Sequence, residues 1–188
     1  MKKLFFGVFA MALFAFASSN VSAQMAEGNN PMVGGAAMYK TKNIIENAVN
    51  SADHTTLVAA VKAAGLVDTL SGAGPFTVFA PVNSAFAALP AGTVETLLKP
   101  ENKATLVKIL TYHVIAGNFS SKDVVKAIKK GDGKASFKTV AGGTLTAMLD
   151  GSNVVLMDEK GGKSTVTIAD VKQSNGVIHV VDAVLLPN

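Results

Sequence analysis

The chain has 188 residues, with 17 Lys+Arg against 13 Asp+Glu, no Cys and no Trp. That length suits one compact domain, and 49% hydrophobic against 16% charged residues excludes a disordered chain. The absence of cysteine excludes disulfide scaffolds, zinc ribbons, thiol catalysis and iron–sulfur centres. Every basic residue is Lys, so a nucleic-acid reader built on bidentate guanidinium contacts is not expected.

The N-terminus carries Lys2 and Lys3, an apolar run over residues 4–17, and Val21-Ser22-Ala23 as a small-x-small site. This is the layout of a secretory signal peptide over residues 1–23, cleaved near Ala23. The uncharged run is short for a ~20-residue membrane span, so no span is expected after its removal. The protein is therefore expected to be secreted or periplasmic. Residues 24–40, with Asn30-Pro31 and Gly34-Gly35-Ala36-Ala37, show no packing period and are read as a flexible linker.

Order is expected from Thr41. Ile44, Ile45, Ala48 and Val49 recur at helical spacing. Asp53 is placed to cap a second helix bearing Leu57, Val58 and Val61, with Gly65 as its stop. Phe76 to Ala80 reads as a buried strand ended by Pro81. Asn83 is expected to cap a short helix over 84–89, and Thr93 another over 94–98. Leu106, Val107 and Leu110 lead into a strand at Tyr112-His113-Val114-Ile115. Ser121 is expected to cap a helix over 122–130, with its lysines on a solvated face. Turns at Ala141-Gly142-Gly143, at residues 150–153 and at Asn175-Gly176 then separate strands rich in Val, Thr and Leu. Helices crowd the first half and strands the second, which predicts an α+β fold.

No chemistry-bearing constellation emerges from this order. Gly161-Gly162-Lys163-Ser164 looks like the tail of a phosphate-binding loop, but Met157 stands where that loop's first Gly belongs. Strand-like residues follow it where the cradle needs a helix, so a surface hairpin turn is the better account. His54, His113 and His179 lack the i, i+4 spacing of a zinc helix. His54 is expected on the surface, while His113 and His179 are expected in apolar strands, hydrogen-bonded to buried partners. No Gly-x-Ser-x-Gly elbow is present. The reading is of a non-catalytic protein without metal or cofactor.

Three segments resemble one family. Gly74-Pro75-Phe76-Thr77-Val78-Phe79-Ala80-Pro81-Val82-Asn83-Ser84-Ala85-Phe86 is similar to the first signature of fasciclin-type (FAS1) domains. Residues 175–187, from Asn175-Gly176 through His179 and Asp182 to Pro187, resemble the second signature. Tyr112-His113 matches the family's Tyr-His motif between them. Val82 departs from the pattern, which more often has Thr. The resemblance implies a FAS1-type fold over residues 41–188: a β-sandwich or wedge with helices packed around it. Phe76, Phe79, Pro81, Asn83, Phe86, His179 and Asp182 are then expected to be structural.

The resemblance also implies extracellular or cell-surface adhesion by binding protein or polysaccharide. Adhesion residues of animal relatives correspond to Tyr112-His113 and Asp170-Val171, which are the binding candidates here. Self-association would add avidity to a single domain. The alternative is an exported carrier of an apolar small molecule such as a carotenoid.

Overall fold

A computed structural model describes residues 30–188. The signal peptide expected at 1–23 and the first part of the expected linker, residues 24–29, lie outside the described residues.

The flexible linker expected up to residue 40 is corrected over residues 30–40, which pack onto the domain. Strands β1 (Met32–Val33) and β2 (Ala36–Ala37) pair antiparallel around Gly34-Gly35, whose φ angles are +56° and +75°. A side chain at Gly34 would meet Ser51 Oγ at 2.4 Å, so glycine lets the turn press against the next segment. Val33 and Met38 are buried in the core. The Asn47 amide holds both backbone groups of Tyr39, at 3.0 and 2.8 Å. A tether would leave these apolar side chains in water; packing them is what orders the hairpin.

Helix α1 (Ile44–Ala48) opens with a reciprocal cap: Asn43 accepts from the Glu46 N–H, and Glu46 accepts from the Asn43 N–H. A 3₁₀ turn (Ala52–His54) leads into α2 (Thr55–Ala64), stopped by Gly65 at φ +72°. α3 (Val67–Ser71) and β3 (Phe76–Pro81) follow, then α4 (Asn83–Ala87), α5 (Thr93–Leu97), α6 (Lys103–Tyr112) and β4 (Val114–Ala116). The expected strand at 112–115 is therefore corrected at its start, because Tyr112 ends a helix and His113 caps it. α7 (Ser121–Lys130) is followed by β5 (Lys134–Lys138), β6 (Thr144–Asp150), β7 (Asn153–Met157), β8 (Lys163–Gln173) and β9 (Gly176–Val181).

Three expected caps shift. Asn83 does not cap its own helix: its Oδ1 accepts from the Thr56 N–H and the Thr55 hydroxyl, and its Nδ2 donates to Ala52 O. It thus caps α2 across space and takes the role expected of Asp53. α5 starts after Gly92 rather than by a Thr93 cap. α7 is capped by Ser120, in a reciprocal pair with Asp123, which frees Ser121 for another partner.

The main sheet runs β4-β3-β9-β8-β7-β6-β5, antiparallel throughout except for the parallel pair β3–β9. That pair joins the two signature segments, in register from Phe76 opposite Gly176 to Pro81 opposite Val181. A Cβ on Gly176 would lie 2.0 Å from Phe76 O, and one on Gly74 would lie 2.0 Å from Asn175 O. Glycine is what allows the two signatures to meet. Just past β5, the Val140 N–H donates to Val114 O in β4 at 2.8 Å, so the sheet wraps nearly into a barrel.

Two apolar clusters fill this frame. One lies between the helices and the sheet and includes Val61, Leu70, Val78, Leu110, Ile178 and Val180. The other lies on the opposite side of β3 and β9, beneath α7, and includes Phe79, Tyr112, Ile128, Leu145, Leu156 and Val181. Successive residues of β9 feed alternate clusters, as the strand pleat requires. Each fully buried aliphatic here contributes about 1.5–3 kcal/mol. This is the α+β architecture expected.

Candidate functional site

The residues expected to present an adhesive patch are built into the scaffold. Tyr112 closes α6 with its ring fully buried (0% exposed). Its hydroxyl donates to Thr144 O at 2.7 Å and accepts from the Glu159 N–H at 3.2 Å. The Glu159 carboxylate returns to the Thr144 N–H at 2.9 Å, so one phenol and one carboxylate tie the start of β6 to the β7–β8 turn. Burial, with Glu159 and Asp158 nearby, pushes the Tyr112 phenol up to about 12.

His113 is buried beside it. Its Nδ1–H donates to Ile109 O at 2.8 Å, and its Nε2 accepts from the Leu185 N–H at 3.0 Å. The ring therefore has one defined tautomer and pins the C-terminal segment to α6. Burial holds its pKa below the ordinary histidine value. The neighbouring carboxylate of Asp158, also buried, accepts from Leu186, Lys160 and Gly162 N–H groups. This explains the turn at Gly161-Gly162: a Cβ at Gly162 would sit 2.6 Å from Asp158 Oδ2.

Asp170 lies at an irregularity of β8, where the register against β9 shifts between Ile168 and Val171. It takes φ +61°, a region that Asp tolerates better than most residues. Its carboxylate accepts from both the Ser121 N–H (2.7 Å) and the Ser121 hydroxyl. Its own N–H donates to His179 Nδ1 at 3.3 Å, while His179 Nε2–H donates to Phe119 O at 2.9 Å. Partial burial pushes the Asp170 carboxyl up, but the Ser121 hydrogen bonds, His179 and Lys172 outweigh it and leave it lowered. His179 is lowered by burial and stacks on Phe79. Val171 is 1% exposed. Tyr112, His113 and Val171 thus have no surface to offer a partner, and Asp170 is occupied by Ser121. Tyr112, His113 and Val171 are therefore interior residues, while Asp170 keeps part of its side chain at the surface.

Among the other signature residues, Phe79, Pro81 and Phe86 are buried, and Phe76 is half-buried. Asp182 is exposed and closes the β8–β9 ladder by accepting from the Thr165 N–H at 2.7 Å. Local pattern marks Asn175 only as a turn residue. Its side chain accepts from the Ile44 N–H and donates to Leu70 O and Gly72 O, so it fastens α1 and α3 to the sheet.

His54, expected on the surface, is corrected to the interior. Its Nδ1 pairs with Ser51 Oγ at 2.9 Å, while its Nε2 closes no hydrogen bond among the described residues. It borders an internal cavity of about 60 Å³, lined mainly by apolar side chains such as Val61, Leu70, Val78 and Leu110. An apolar cavity of roughly 150 Å³ takes up a single benzene, so this one is far too small for a carotenoid without opening the core. Among the described residues, no three His, Asp or Glu side chains gather as a metal ligand set. No described helix is long and apolar enough to cross a membrane.

Comparison with known proteins agrees with this architecture. The family model "Fasciclin domain" matches residues 52–187. Protein sll1483 of Synechocystis sp. is 48% identical over 180 residues, covering 94% of this chain and 93% of that protein. The cell surface glycolipoprotein MPB83 of Mycobacterium bovis is 35% identical over 170 residues, covering 88% of this chain and 70% of that one. Among solved structures, a FAS1 domain pair from the insect cell adhesion molecule fasciclin I superposes with a TM-score of 0.69 at 20% identity. It covers 77% of this chain and 51% of that chain. The chain belongs to the fasciclin domain family.

Proposed function

We propose that this protein is an exported, non-catalytic adhesion module that binds protein or polysaccharide at a cell surface or in the extracellular matrix. The observation that carries the reading is its similarity to a cell surface glycolipoprotein and, in fold, to a cell adhesion molecule. The geometry supports it in a second way. The polar residues of the signatures are spent on backbone groups, as scaffold residues are, which leaves outward-facing side chains to meet a partner. One domain binds monovalently, so self-association would raise its avidity.

The test uses protein purified from the exported fraction of its own host, labelled and titrated onto host cells. Saturable binding, with a mass matching residues 24–188 and no visible absorption, is the expected result. Absence of binding, or a bound chromophore, would overturn the reading; a chromophore would make the domain a carrier.

A further inference from the structure

The outer face of α7 carries a concentration of charge that the signature residues do not explain. The helix holds Lys122, Lys126, Lys129 and Lys130 against a single acid, Asp123. Its net charge of +3 compares with +4 for the whole 188-residue chain. Asp123 is already counted in that +3; its carboxylate accepts from the N–H and hydroxyl of Ser120 and also attracts Lys126. Those hydrogen bonds hold its pKa low, and the same reciprocal cap fixes the first turn of the helix.

Helical spacing places Lys122, Lys126 and Lys129 on one face, over a rise of about 10 Å. These three line one shallow surface groove with Ser121 and Val125. All three lysines are exposed, and no ion pair among the described residues uses their ammonium groups. The opposite face is anchored, since Val124 and Ile128 are buried in the cluster beneath the sheet. A second fastening comes from Asp170, which holds Ser121 at the start of the helix. The cationic track is therefore rigidly mounted, and an ordered array loses less entropy on binding than a flexible one.

The composition of the face selects the partner. The large exposed hydrophobic residues are Met32, Val49 and Val140, and none lies on α7. The face therefore lacks both the apolar anchor of a protein hot spot and the wedge of a membrane-inserting helix. It holds no aromatic residue on which a base could stack and no arginine. What fits three aligned, hydrated point charges is a linear chain of spaced carboxylates. We propose that the α7 face, through Lys122, Lys126 and Lys129, is a binding site for an acidic, uronate-type polysaccharide. This rests on the adhesion reading above and names its partner class and surface.

Alginate, a linear polyuronate, is the probe, with neutral dextran as control, titrated onto the exported protein by biolayer interferometry. The parent is expected to bind alginate and not dextran, and to lose affinity steeply between about 0.05 M and about 0.5 M salt. The triple variant K122Q/K126Q/K129Q should weaken binding about tenfold, as three exposed ion pairs together imply, with an unchanged melting temperature. The control K99Q/K103Q/K160Q removes three exposed charges elsewhere and should bind like the parent. Equal losses in both triples would reduce the effect to net charge and overturn the site. So would tighter binding to DNA or to anionic vesicles than to alginate. If the parent binds host cells and the α7 triple binds them equally, this site fails while the adhesion reading stands. If alginate binds through α7 but host cells do not bind, the adhesion reading fails instead.

Discussion

Replacing His113 by alanine removes two hydrogen bonds whose partners have nowhere else to turn. The Leu185 N–H and Ile109 C=O lie against a ring that is 3% exposed. A buried polar group left unpaired costs about 1–3 kcal/mol, and the emptied imidazole volume adds a cavity term. The total for His113→Ala is about 3–5 kcal/mol. For a domain of this size about 2–4 °C is lost per kcal/mol, so the melting temperature should fall by about 6–20 °C. Thermal unfolding followed by far-ultraviolet circular dichroism at neutral pH gives the global effect. Hydrogen exchange gives the local one: the Leu185 amide should exchange faster than amides of β6 and β7. A variant that melts within about 3 °C of the parent, with Leu185 still protected, would refute the assignment of His113 as the lock on the C-terminal segment.

The remaining expectations concern the same scaffold. Asp170→Ala deprives the Ser121 N–H and hydroxyl of a charged acceptor and should cost about 2 kcal/mol. An unchanged urea midpoint would contradict that role. Gly176→Ala places a Cβ 2.0 Å from Phe76 O, which forces β3 and β9 apart. We expect a loss of about 3 kcal/mol or more, or failure to accumulate as folded protein; normal melting would show that the strands can slide. Burial lowers the pKa of His54, His113 and His179 in the folded protein. The unfolded chain therefore binds more protons below its own histidine pKa of about 6.5. Stability should be level at neutral to slightly alkaline pH and fall as the pH drops through about 6.5, by up to about 1.4 kcal/mol per pH unit for each histidine. Stability that rises on acidification through this range would contradict the buried, neutral state.

Strands were legible in the sequence where residue type admits few alternatives: Phe76 to Ala80 reads as a buried strand, and a strand is expected after the Asn175-Gly176 turn. Their parallel pairing with each other is set by the fold, since local pattern carries no information on a partner about a hundred residues away. The N-terminal hairpin was missed because strands of two residues are too short to show a period. Its readable signal was Gly34-Gly35, a two-residue turn flanked by Met32-Val33 and Ala36-Ala37. Asn83 was recognised as a cap but assigned to the wrong helix, since a side chain's distant partners are set by tertiary packing and not by local spacing. The burial of Tyr112, His113 and Val171 was not legible for a related reason. A polar residue beside an apolar run reads equally well as an exposed contact or as a buried donor. Only the fold brings Asp170 to Ser121 and Tyr112 to Thr144.

The central claim separates scaffold from contact surface: the signature residues hold the domain together, and its outward face makes the contacts. Saturation binding of labelled parent, His113→Ala and K122Q/K126Q/K129Q proteins to host cells tests it most directly, at a temperature where all three are folded by circular dichroism. Folded His113→Ala is expected to bind with the parent's affinity, because its ring touches Ile109 and Leu185 and not α7, and the lysine variant is expected to be weakened about tenfold. Loss of binding by folded His113→Ala, with the lysine variant unaffected, would contradict the separation.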